Sequence, residues 1–322
     1  MKLATVRVNN RDRLVFSPDG TRLYDLEQIL HGANVVPAPR TMLELIEAGT
    51  ELWPRLQDIA HGPVVTSDRA TVIGLDTVTW KAPVQQPSKI CCLALNNSAN
   101  ADRIMQGPKH PAAFIKPASA LVGHLGAIEL QPAYGRVHPE PELALVIGKR
   151  AKKVAAADAY QYVFGYTIHN DITSPTMRAE DTFHYRAIHP DERSADAITY
   201  VDTWVSYPGR YKGSDTFACM GPWLVPRDEI PDPHALQVTC SHRGKVITDD
   251  NTANLFYKIP EVIEFLSTYM TLLPGDIVSM GTAIKRAVGG GAVQNIDLNR
   301  LGGPVTVAIA GLGTLENSVT RG

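Results

Sequence analysis

Hydrophobic and polar residues alternate near the N-terminus of the chain, over residues 3–26, with a turn signal at Pro18-Asp19-Gly20. Alternation with a period of two predicts strands that are joined as hairpins. Over residues 41–60 the apolar positions instead recur at helical spacing, with interruptions at glycine and proline. The pattern therefore predicts a small module of strands and helices that ends near Thr79.

A proline-rich stretch over residues 81–88 follows this module and is typical of a linker. Beyond it, short apolar runs separated by Gly, Pro and Asp dominate, and only residues 155–162 and 260–270 show a helical pattern. This arrangement favours a β-rich α+β fold over alternating βαβ units. We therefore predict a small N-terminal domain over residues 1–80 and a larger domain over residues 81–322.

Residues 180–197 interrupt the pattern of short apolar runs. This segment contains His184 and His189 among mixed charges, and it shows little apolar periodicity. The composition predicts a long surface insertion, and loops of that length often act as lids over a functional site.

The chain has 322 residues, with 31 Lys and Arg against 33 Asp and Glu, so its formal net charge is −2. A near-neutral balance attracts no polyanion, so we expect neither nucleic acid nor a membrane surface as a partner. The sequence shows no signal peptide and no apolar segment of the ~20 residues that span a membrane, which predicts a cytoplasmic protein. Its four cysteines lack Cys-x-x-Cys spacing and are expected to be buried free thiols. A small-molecule substrate is the default expectation.

Two glutamates, Glu140 and Glu142, directly precede an apolar run over residues 143–148. Residues two apart share one face of a strand, so these carboxylates project together, which is costly near an interior unless a cation or a proton neutralises them. A second predicted strand ends in Asp171. Three carboxylates without a thiolate–imidazole cluster suit Mg²⁺, Mn²⁺ or Ca²⁺ better than zinc. On spacing alone, solvated glutamates on a strand edge and a turn aspartate are the open alternative.

Four segments of the chain form a longer ordered pattern: Glu140-Pro-Glu142-Leu-Ala-Leu-Val-Ile-Gly-Lys, then Gly165-Tyr-Thr-Ile-His-Asn-Asp171, then Lys212-Gly-Ser-Asp-Thr-Phe with Met220-Gly-Pro-Trp-Leu-Val, then Leu273-Pro-Gly-Asp-Ile-Val-Ser-Met-Gly-Thr282. In order and spacing they resemble the fumarylacetoacetate hydrolase superfamily, from about Lys89 to Val319. The N-terminal module is similar to the small domain that many bacterial members carry. The resemblance implies a mixed β-sandwich roll with a small N-terminal α/β module, usually in a homodimer.

The resemblance also implies a metal site and catalytic residues. It assigns one divalent cation, Mg²⁺ or Mn²⁺ with Ca²⁺ as a further candidate, to Glu140, Glu142 and Asp171. Lys212 matches a family lysine that faces the substrate and balances developing negative charge. Thr282 matches a threonine that donates a hydrogen bond to the substrate carboxylate.

Lys116 and Asn96 match family segments near the site and are expected to bind substrate. The chain departs from the family pattern at Pro175 and Arg178, where many members carry an arginine and a glutamine that contact substrate. Arg178 is expected to take over a carboxylate contact through its guanidinium, with a solvated charge as the open alternative. The implied activity is that of a metal-dependent hydrolase, which cleaves a C–C bond in a 2-oxo acid or 1,3-dicarbonyl through a stabilised enolate.

One family motif is broken in this chain. Hydrolase members carry approximately Gly-x-Asn-Tyr-x-x-His-x-x-Glu after the first core strand, and here Asn97, Asn100 and Arg103 replace the tyrosine, the histidine and the glutamate. An amide cannot act as a general base near neutral pH. The alternative is therefore a lyase or isomerase of the same family, such as a 2-keto-3-deoxy sugar acid dehydratase, a hydratase, an oxaloacetate decarboxylase or a tautomerase. The histidines that could supply the missing base are His110, His124, His138, His169, His184 and His189.

Overall fold

The structure is a computed structural model that describes residues 1–61 and 72–322. Its strands are β1 (Lys2–Val8), β2 (Arg11–Ser17), β3 (Leu23–Asp25), β4 (Val72–Ile73), β5 (Thr79–Trp80), β6 (Ile90–Ala94), β7 (Ala112–Lys116), β8 (Leu121–Val122), β9 (Ala127–Leu130), β10 (Pro141–Ile147), β11 (Val163–Asp171), β12 (Thr182–Asp191), β13 (Ser194–Ser206), β14 (Ala218–Pro226), β15 (Gln237–His242), β16 (Lys245–Asn251), β17 (Ile277–Ser279), β18 (Val305–Ile309) and β19 (Gly313–Arg321). Its α-helices are α1 (Leu26–Gly32), α2 (Met42–Glu47), α3 (Gly49–His61), α4 (Pro175–Glu180), α5 (Gly209–Gly213), α6 (Ile259–Tyr269) and α7 (Leu298–Leu301).

The strands of the described residues form three sheets. The largest contains 12 strands in the order β4-β3-β2-β1-β14-β11-β10-β17-β6-β7, with β5 beside β1 and β8 beside β14. A second sheet has five strands in the order β16-β15-β18-β19-β9, and β12 and β13 form a two-stranded sheet of their own. The predicted β-rich α+β fold is confirmed.

The N-terminal module joins the largest sheet directly. The predicted hairpin is β1 and β2, which pair along their full length, and β1 also pairs with β14 where Leu3 lies opposite Leu224. The proline-rich connection packs against the same strand, since Thr5 Oγ1 donates a hydrogen bond to the Pro83 carbonyl at 2.7 Å. The division near residue 80 stays a prediction, and across it the two parts share a sheet.

Strand β10 lies at the centre of the largest sheet, between β11 and β17, and all of its residues are buried. Its alternate side chains enter two different hydrophobic cores, Leu143, Leu145 and Ile147 in one and Ala144 and Val146 in the other. A strand that is covered on both faces is a near-continuous apolar run in sequence. This central position carries the carboxylate of Glu142 into the interior.

The predicted insertion over residues 180–197 differs from expectation, because it belongs to a regular hairpin. Strands β12 and β13 pair in register from Thr182 opposite Ser206 to Pro190 opposite Ile198. The alternation was not recognised because apolar residues occur on both faces of this hairpin, which removes the period-two signal.

The two predicted helical segments and the predicted free thiols are found in the structure. The helical pattern at residues 260–270 corresponds to α6, and that at 155–162 to a 3₁₀ helix over Ala156–Tyr162. The four cysteines are buried and free, as predicted. In the described chain no helix has both the length and the apolar content that crossing a membrane requires.

Candidate metal centre and active site

Backbone pairing brings the three predicted carboxylates together at one end of β10 and β11. Glu142 lies opposite His169 in the antiparallel register of these strands. The Asp171 N–H donates to the Glu140 carbonyl at 2.9 Å, which fixes the residue before β10 beside the last residue of β11. One carboxylate oxygen from each of Glu140, Glu142 and Asp171 lies within 4.8 Å of the other two. The predicted cluster therefore exists as a compact group of three oxygen donors.

Two lysines neutralise part of this negative charge. Lys212 Nζ donates to Glu140 Oε2 at 2.7 Å and to Asp171 Oδ2 at 2.6 Å. Lys116 Nζ donates to Asp171 Oδ1 and, at 2.7 Å, to the Phe217 carbonyl. Both lysines are buried, and Lys116 is fully enclosed. Buried charges of this kind are tolerated because each is paired and hydrogen-bonded.

The turn after β17 supplies the remaining contacts of the glutamates. Thr282 Oγ1 lies 3.1 Å from both Glu140 Oε2 and Glu142 Oε1, so its one proton serves either carboxylate. Glu142 Oε2 accepts hydrogen bonds from Ser279 Oγ at 2.5 Å and from the Gly281 N–H at 3.1 Å. Both oxygens of Glu142 are thus oriented by donors from one short segment.

A histidine completes this chain of contacts. His169 Nδ1 lies 2.7 Å from Ser279 Oγ. Because the Ser279 hydroxyl donates to Glu142, its oxygen accepts from His169, which places the ring proton on Nδ1. His169 Nε2 is buried and has no hydrogen-bond partner among the residues that the structure describes. Burial lowers the pKa of His169 to about 3, so the ring is neutral.

The carboxylates differ in their protonation behaviour. Burial, together with the negative charges of Asp171 and Glu140, raises the pKa of Glu142 to about 8. Burial would also raise the pKa of Asp171, but the ammonium groups of Lys116 and Lys212 outweigh it and lower that pKa. For Lys212, burial would lower the pKa, and the surrounding carboxylates, led by Asp171, raise it instead. When all three carboxylates are ionised, their negative charge therefore exceeds the positive charge of the two lysines by one.

This deficit and the spacing fit a divalent cation. Two oxygens bound to one cation at about 2.1–2.5 Å lie no more than roughly 5 Å apart, and the three donors satisfy this limit. An all-oxygen donor set suits Mg²⁺, Mn²⁺ or Ca²⁺. The Lys212 ammonium that bridges Glu140 and Asp171 shows that these oxygens already attract a cation. The cluster can hold a divalent metal, and its geometry does not select one of the three.

An open cavity of about 1010 Å³ leads to this cluster. Glu140, Lys212 and Thr282 face it, as do His138 and Arg178. His138 Nε2 lies 3.9 Å from Glu140 Oε1, and burial lowers the pKa of His138. The cavity thus brings carboxylate, ammonium, hydroxyl, guanidinium and imidazole groups to one space that can admit a small molecule.

Two of the predicted substrate-binding residues lie behind the cavity wall. The Asn96 amide is buried, donating to the Met280 carbonyl at 2.8 Å and accepting from the Tyr257 N–H at 2.8 Å. Lys116 contacts Asp171 and is fully enclosed. From these positions Asn96 supports the loop that carries Thr282, and Lys116 supports Asp171.

The loop with the broken family motif is held by a buried carboxylate. Asn97 Nδ2 donates to Asp250 Oδ2 at 3.0 Å, and Arg103 donates to the Asn100 side chain. Asp250 Oδ2 also accepts the Ile284 N–H at 2.8 Å. Sequence reasoning missed the Asp250 and Ser279 contacts, because only the fold brings their partners close.

The histidines proposed as substitutes for the missing base are widely separated. His138 and His169 lie near the carboxylates. The others lie in other contacts: His110 stacks on Phe265, His124 packs on Trp80, and His184 and His189 lie on the exposed β12 strand.

Comparison with known proteins gives a consistent family. Residues 89–320 match the model described as the fumarylacetoacetate (FAA) hydrolase C-terminal domain. The chain is 34% identical over 248 residues to the mitochondrial oxaloacetate tautomerase FAHD2A of Bos taurus, covering 76% of this chain and 69% of the relative. Because that relative is mitochondrial by name, a cytoplasmic location stays a prediction.

Two solved structures are similar over the whole chain. The maleylpyruvate hydrolase from Sphingobium sp. SYK-6, in complex with manganese(II) and pyruvate, gives a TM-score of 0.71 at 27% identity and covers 100% of both chains. The 5-carboxymethyl-2-hydroxymuconate delta-isomerase from Mycobacterium smegmatis gives 0.68 at 25% identity, covering 100% of this chain and 99% of its own. On the strength of the matched model and these relatives, the chain belongs to the fumarylacetoacetate hydrolase family.

Proposed function

We propose that this protein is a divalent-metal-dependent enzyme that forms the enolate of a 2-oxo acid or 1,3-dicarbonyl. It would act as a tautomerase or isomerase that transfers a proton at the adjacent carbon, or as a lyase that forms the enolate by losing water or carbon dioxide there. The supporting observation is a cavity lined by Glu140 and Lys212 that leads to the three-carboxylate cluster, while the loop of the hydrolase dyad carries amides and a guanidinium. Hydrolysis of a C–C bond is the second candidate, because a similar structure is named as a maleylpyruvate hydrolase.

Glu140, Glu142 and Asp171 would hold the metal. When bound, the cation would act as a Lewis acid toward the oxo and carboxylate oxygens of the substrate. Ser279 and the Gly281 N–H orient Glu142, and Lys116 orients Asp171. Such supporting contacts usually govern affinity as well as geometry.

Lys212 would stabilise negative charge as an ammonium and would not act as a base. Its raised pKa keeps it protonated near neutral pH. Its position against Glu140 and Asp171, facing the cavity, suits an electrostatic role beside an enolate oxygen. Another group must then transfer the proton. His138 is the candidate for this role, because its imidazole is neutral and faces the cavity.

The preference for proton transfer over hydrolysis rests on the loop before β7. The Asn97 amide donates a hydrogen bond to Asp250, and the Asn100 side chain accepts one from Arg103. Asn100 and Arg103 are the members of this replaced set that line the cavity, and neither an amide nor a guanidinium activates water near neutral pH. The similarity to an oxaloacetate tautomerase supports the same preference.

The test follows deuterium exchange at C3 of oxaloacetate in D₂O by NMR, with Mn²⁺ or Mg²⁺, against the rate with metal alone. We expect the protein to accelerate this exchange. Lys212→Met should abolish the acceleration, and Lys245→Met, at an exposed lysine, should retain it.

A parallel experiment in ¹⁸O-water with acylpyruvates addresses the second candidate. Label in a newly formed carboxylate, without accelerated exchange at C3, would show that the preference for proton transfer is wrong. Absence of both reactions across oxaloacetate, acylpyruvates and sugar-derived 2-oxo acids would contradict the proposed function itself.

A further inference from the structure

Arg103 lies on the wall of the cavity, at the end of a 3₁₀ helix over Ser98–Arg103. Its guanidinium donates to the Asn100 side chain, and among the residues that the structure describes no carboxylate lies within ion-pair distance of it. A guanidinium carries several N–H donors, so most of its hydrogen-bonding capacity is available to a ligand. An arginine with these properties on a cavity wall is suited to bind an anion.

The segment that carries Arg103 is held in place by buried amides. Asn100 is 6% exposed, and its backbone N–H donates to the Asn97 carbonyl at 2.8 Å. The Asn97 side chain accepts the Ala99 N–H at 3.0 Å and donates to Asp250. Because the amide that accepts from the guanidinium is itself buried, Arg103 is oriented before a ligand arrives, which lowers the entropic cost of binding.

The same segment begins and ends beside the candidate metal centre. It connects β6 to β7, which pair as antiparallel neighbours, and Leu93 and Phe114 on these two strands both line the cavity. The Phe114 ring lies 5.0 Å from Lys212 Nζ. A substrate bound at the carboxylate cluster would therefore be flanked by the loop that carries Arg103.

The charges that line the cavity favour a substrate with more than one carboxylate. Among the described lining residues the one acidic side chain is Glu140, which belongs to the metal cluster and is paired with Lys212. The remaining formal charges are the guanidiniums of Arg103 and Arg178. Away from the cluster, the described wall thus carries positive charge that no acidic side chain balances, and such a wall attracts a carboxylate.

We propose that Arg103 is a specificity-determining residue that binds a second carboxylate of the substrate, on the chain beyond the carbon next to the oxo group. This inference rests on the proposed function and narrows its substrate to 2-oxo acids with a carboxylate at the far end. The guanidinium binds a carboxylate through parallel hydrogen bonds. It replaces the glutamate of the hydrolase motif, so a charge that repels a second carboxylate is exchanged for one that attracts it.

The test compares deuterium exchange at C3 of oxaloacetate with exchange at C3 of its 4-methyl ester, in D₂O with Mn²⁺. The ester keeps the oxo and carboxylate oxygens of the metal-binding end and removes the negative charge at C4. We expect Arg103→Gln to lower kcat/KM for oxaloacetate by about 10–100-fold, because a charge-assisted contact is lost, and to change kcat/KM for the ester by less than about twofold. Each value is taken relative to wild type, so the different intrinsic reactivities of the two probes cancel.

Matched variants separate the loss of this contact from a general disturbance. Arg103→Lys keeps the charge and should retain part of the preference for oxaloacetate. Arg150→Gln changes an exposed arginine outside the cavity lining and should leave both probes unchanged. Calorimetry should give Arg103→Gln an affinity for Mn²⁺ close to that of wild type, and thermal unfolding should show that each variant is folded.

An equal loss on both probes in Arg103→Gln, or a loss on neither, would overturn the inference and leave the proposed function standing. Loss of the preference in Arg178→Gln, with none in Arg103→Gln, would assign the second carboxylate to Arg178 and overturn it as well. Exchange on neither probe, together with activity on acylpyruvates, would have the same consequence. Absence of every reaction would instead contradict the proposed function on which the inference rests.

Discussion

Glu142 is a predicted metal ligand whose carboxylate is also buried. It is only 1% exposed, yet its carboxylate lies beside those of Glu140 and Asp171. Replacement by Gln keeps the shape and the hydrogen bond from Ser279 and removes the negative charge. We expect Glu142→Gln to weaken Mn²⁺ binding by more than about 100-fold, since loss of a mere supporting contact already costs 10–100-fold.

Isothermal titration calorimetry with Mn²⁺ checks this expectation, with Glu129→Gln, an exposed glutamate, as the control. Unchanged affinity in Glu142→Gln would remove Glu142 from the metal site.

The raised pKa of Glu142 also predicts how the metal-free protein responds to pH. In the unfolded chain this carboxyl ionises near 4.5, and in the folded protein near 8. Between these values the folded state binds more protons, so the free energy of unfolding falls as pH rises. Thermal unfolding of metal-free protein between pH 7 and 8, above the range in which the buried histidines act, should show this loss, and Glu142→Gln should reduce it. An identical pH dependence in the variant would contradict the assignment.

Ser279 and His169 act on Glu142 from behind the site. His169 Nδ1, Ser279 Oγ and Glu142 Oε2 form a continuous hydrogen-bonded series. We expect Ser279→Ala to weaken Mn²⁺ binding by about 10–100-fold, because the carboxylate loses one of the donors that orient it. Ser241→Ala, in β15, should leave the affinity unchanged. Equal affinity in both variants would show that this orientation does not matter.

At the scale of elements, the turn after β17 depends on a carboxylate that does not touch the cavity. Asp250 Oδ2 accepts hydrogen bonds from Asn97 and from the Ile284 and Lys285 N–H groups at 2.8–3.0 Å. These contacts support the segment that carries Thr282. Asp250→Asn should lower the free energy of unfolding by about 1–3 kcal/mol, because buried donors lose an acceptor.

Urea unfolding measures the effect of Asp250→Asn, and Asp249→Asn is the matched control because Asp249 is adjacent and exposed. Equal stability of the two variants would show that the turn is held by other contacts.

Local patterns predicted some elements and sites well and others poorly. The apolar runs beside Glu140, Glu142 and Asp171 mark these carboxylates as candidates, but spacing alone leaves solvated glutamates and a turn aspartate open, and only the resemblance to the family implies a ligand set. Asn96 and Lys116 could be placed near the site, but their side-chain directions depend on contacts with Met280 and Phe217, which are more than 100 residues away along the chain. Such directions are set by tertiary packing, which spacing along the sequence does not encode.

At the scale of the whole molecule, the partly buried His124 contributes to the response to acid. Burial beside Trp80 lowers the pKa of His124 from 6.5 to about 4, and His124 Nδ1 accepts the Glu316 N–H at 3.0 Å. Between these pH values the unfolded chain binds a proton that the folded protein excludes. The stability that this neutral ring contributes is therefore present above pH 6.5 and is lost as pH falls toward 4.

Thermal unfolding of the metal-loaded protein from pH 7 to pH 5 should show this acid loss. His124→Gln should flatten it, whereas His189→Gln, in the exposed strand β12, should not. Equal slopes for His124→Gln and the wild type would contradict the role of His124.

The two-faced burial of β10 has a consequence for how new specificities can arise in this protein. Because residues 143–147 of β10 alternate between two cores, a change that alters the position of Glu142 also disturbs packing on both sides of the sheet. The metal-holding strands are therefore poor targets for mutagenesis, and libraries aimed at new substrates should vary Arg103, Arg178 and Ile284 on the cavity wall. The fold thus separates the metal-holding strands, which tolerate few substitutions, from the cavity wall, which tolerates more.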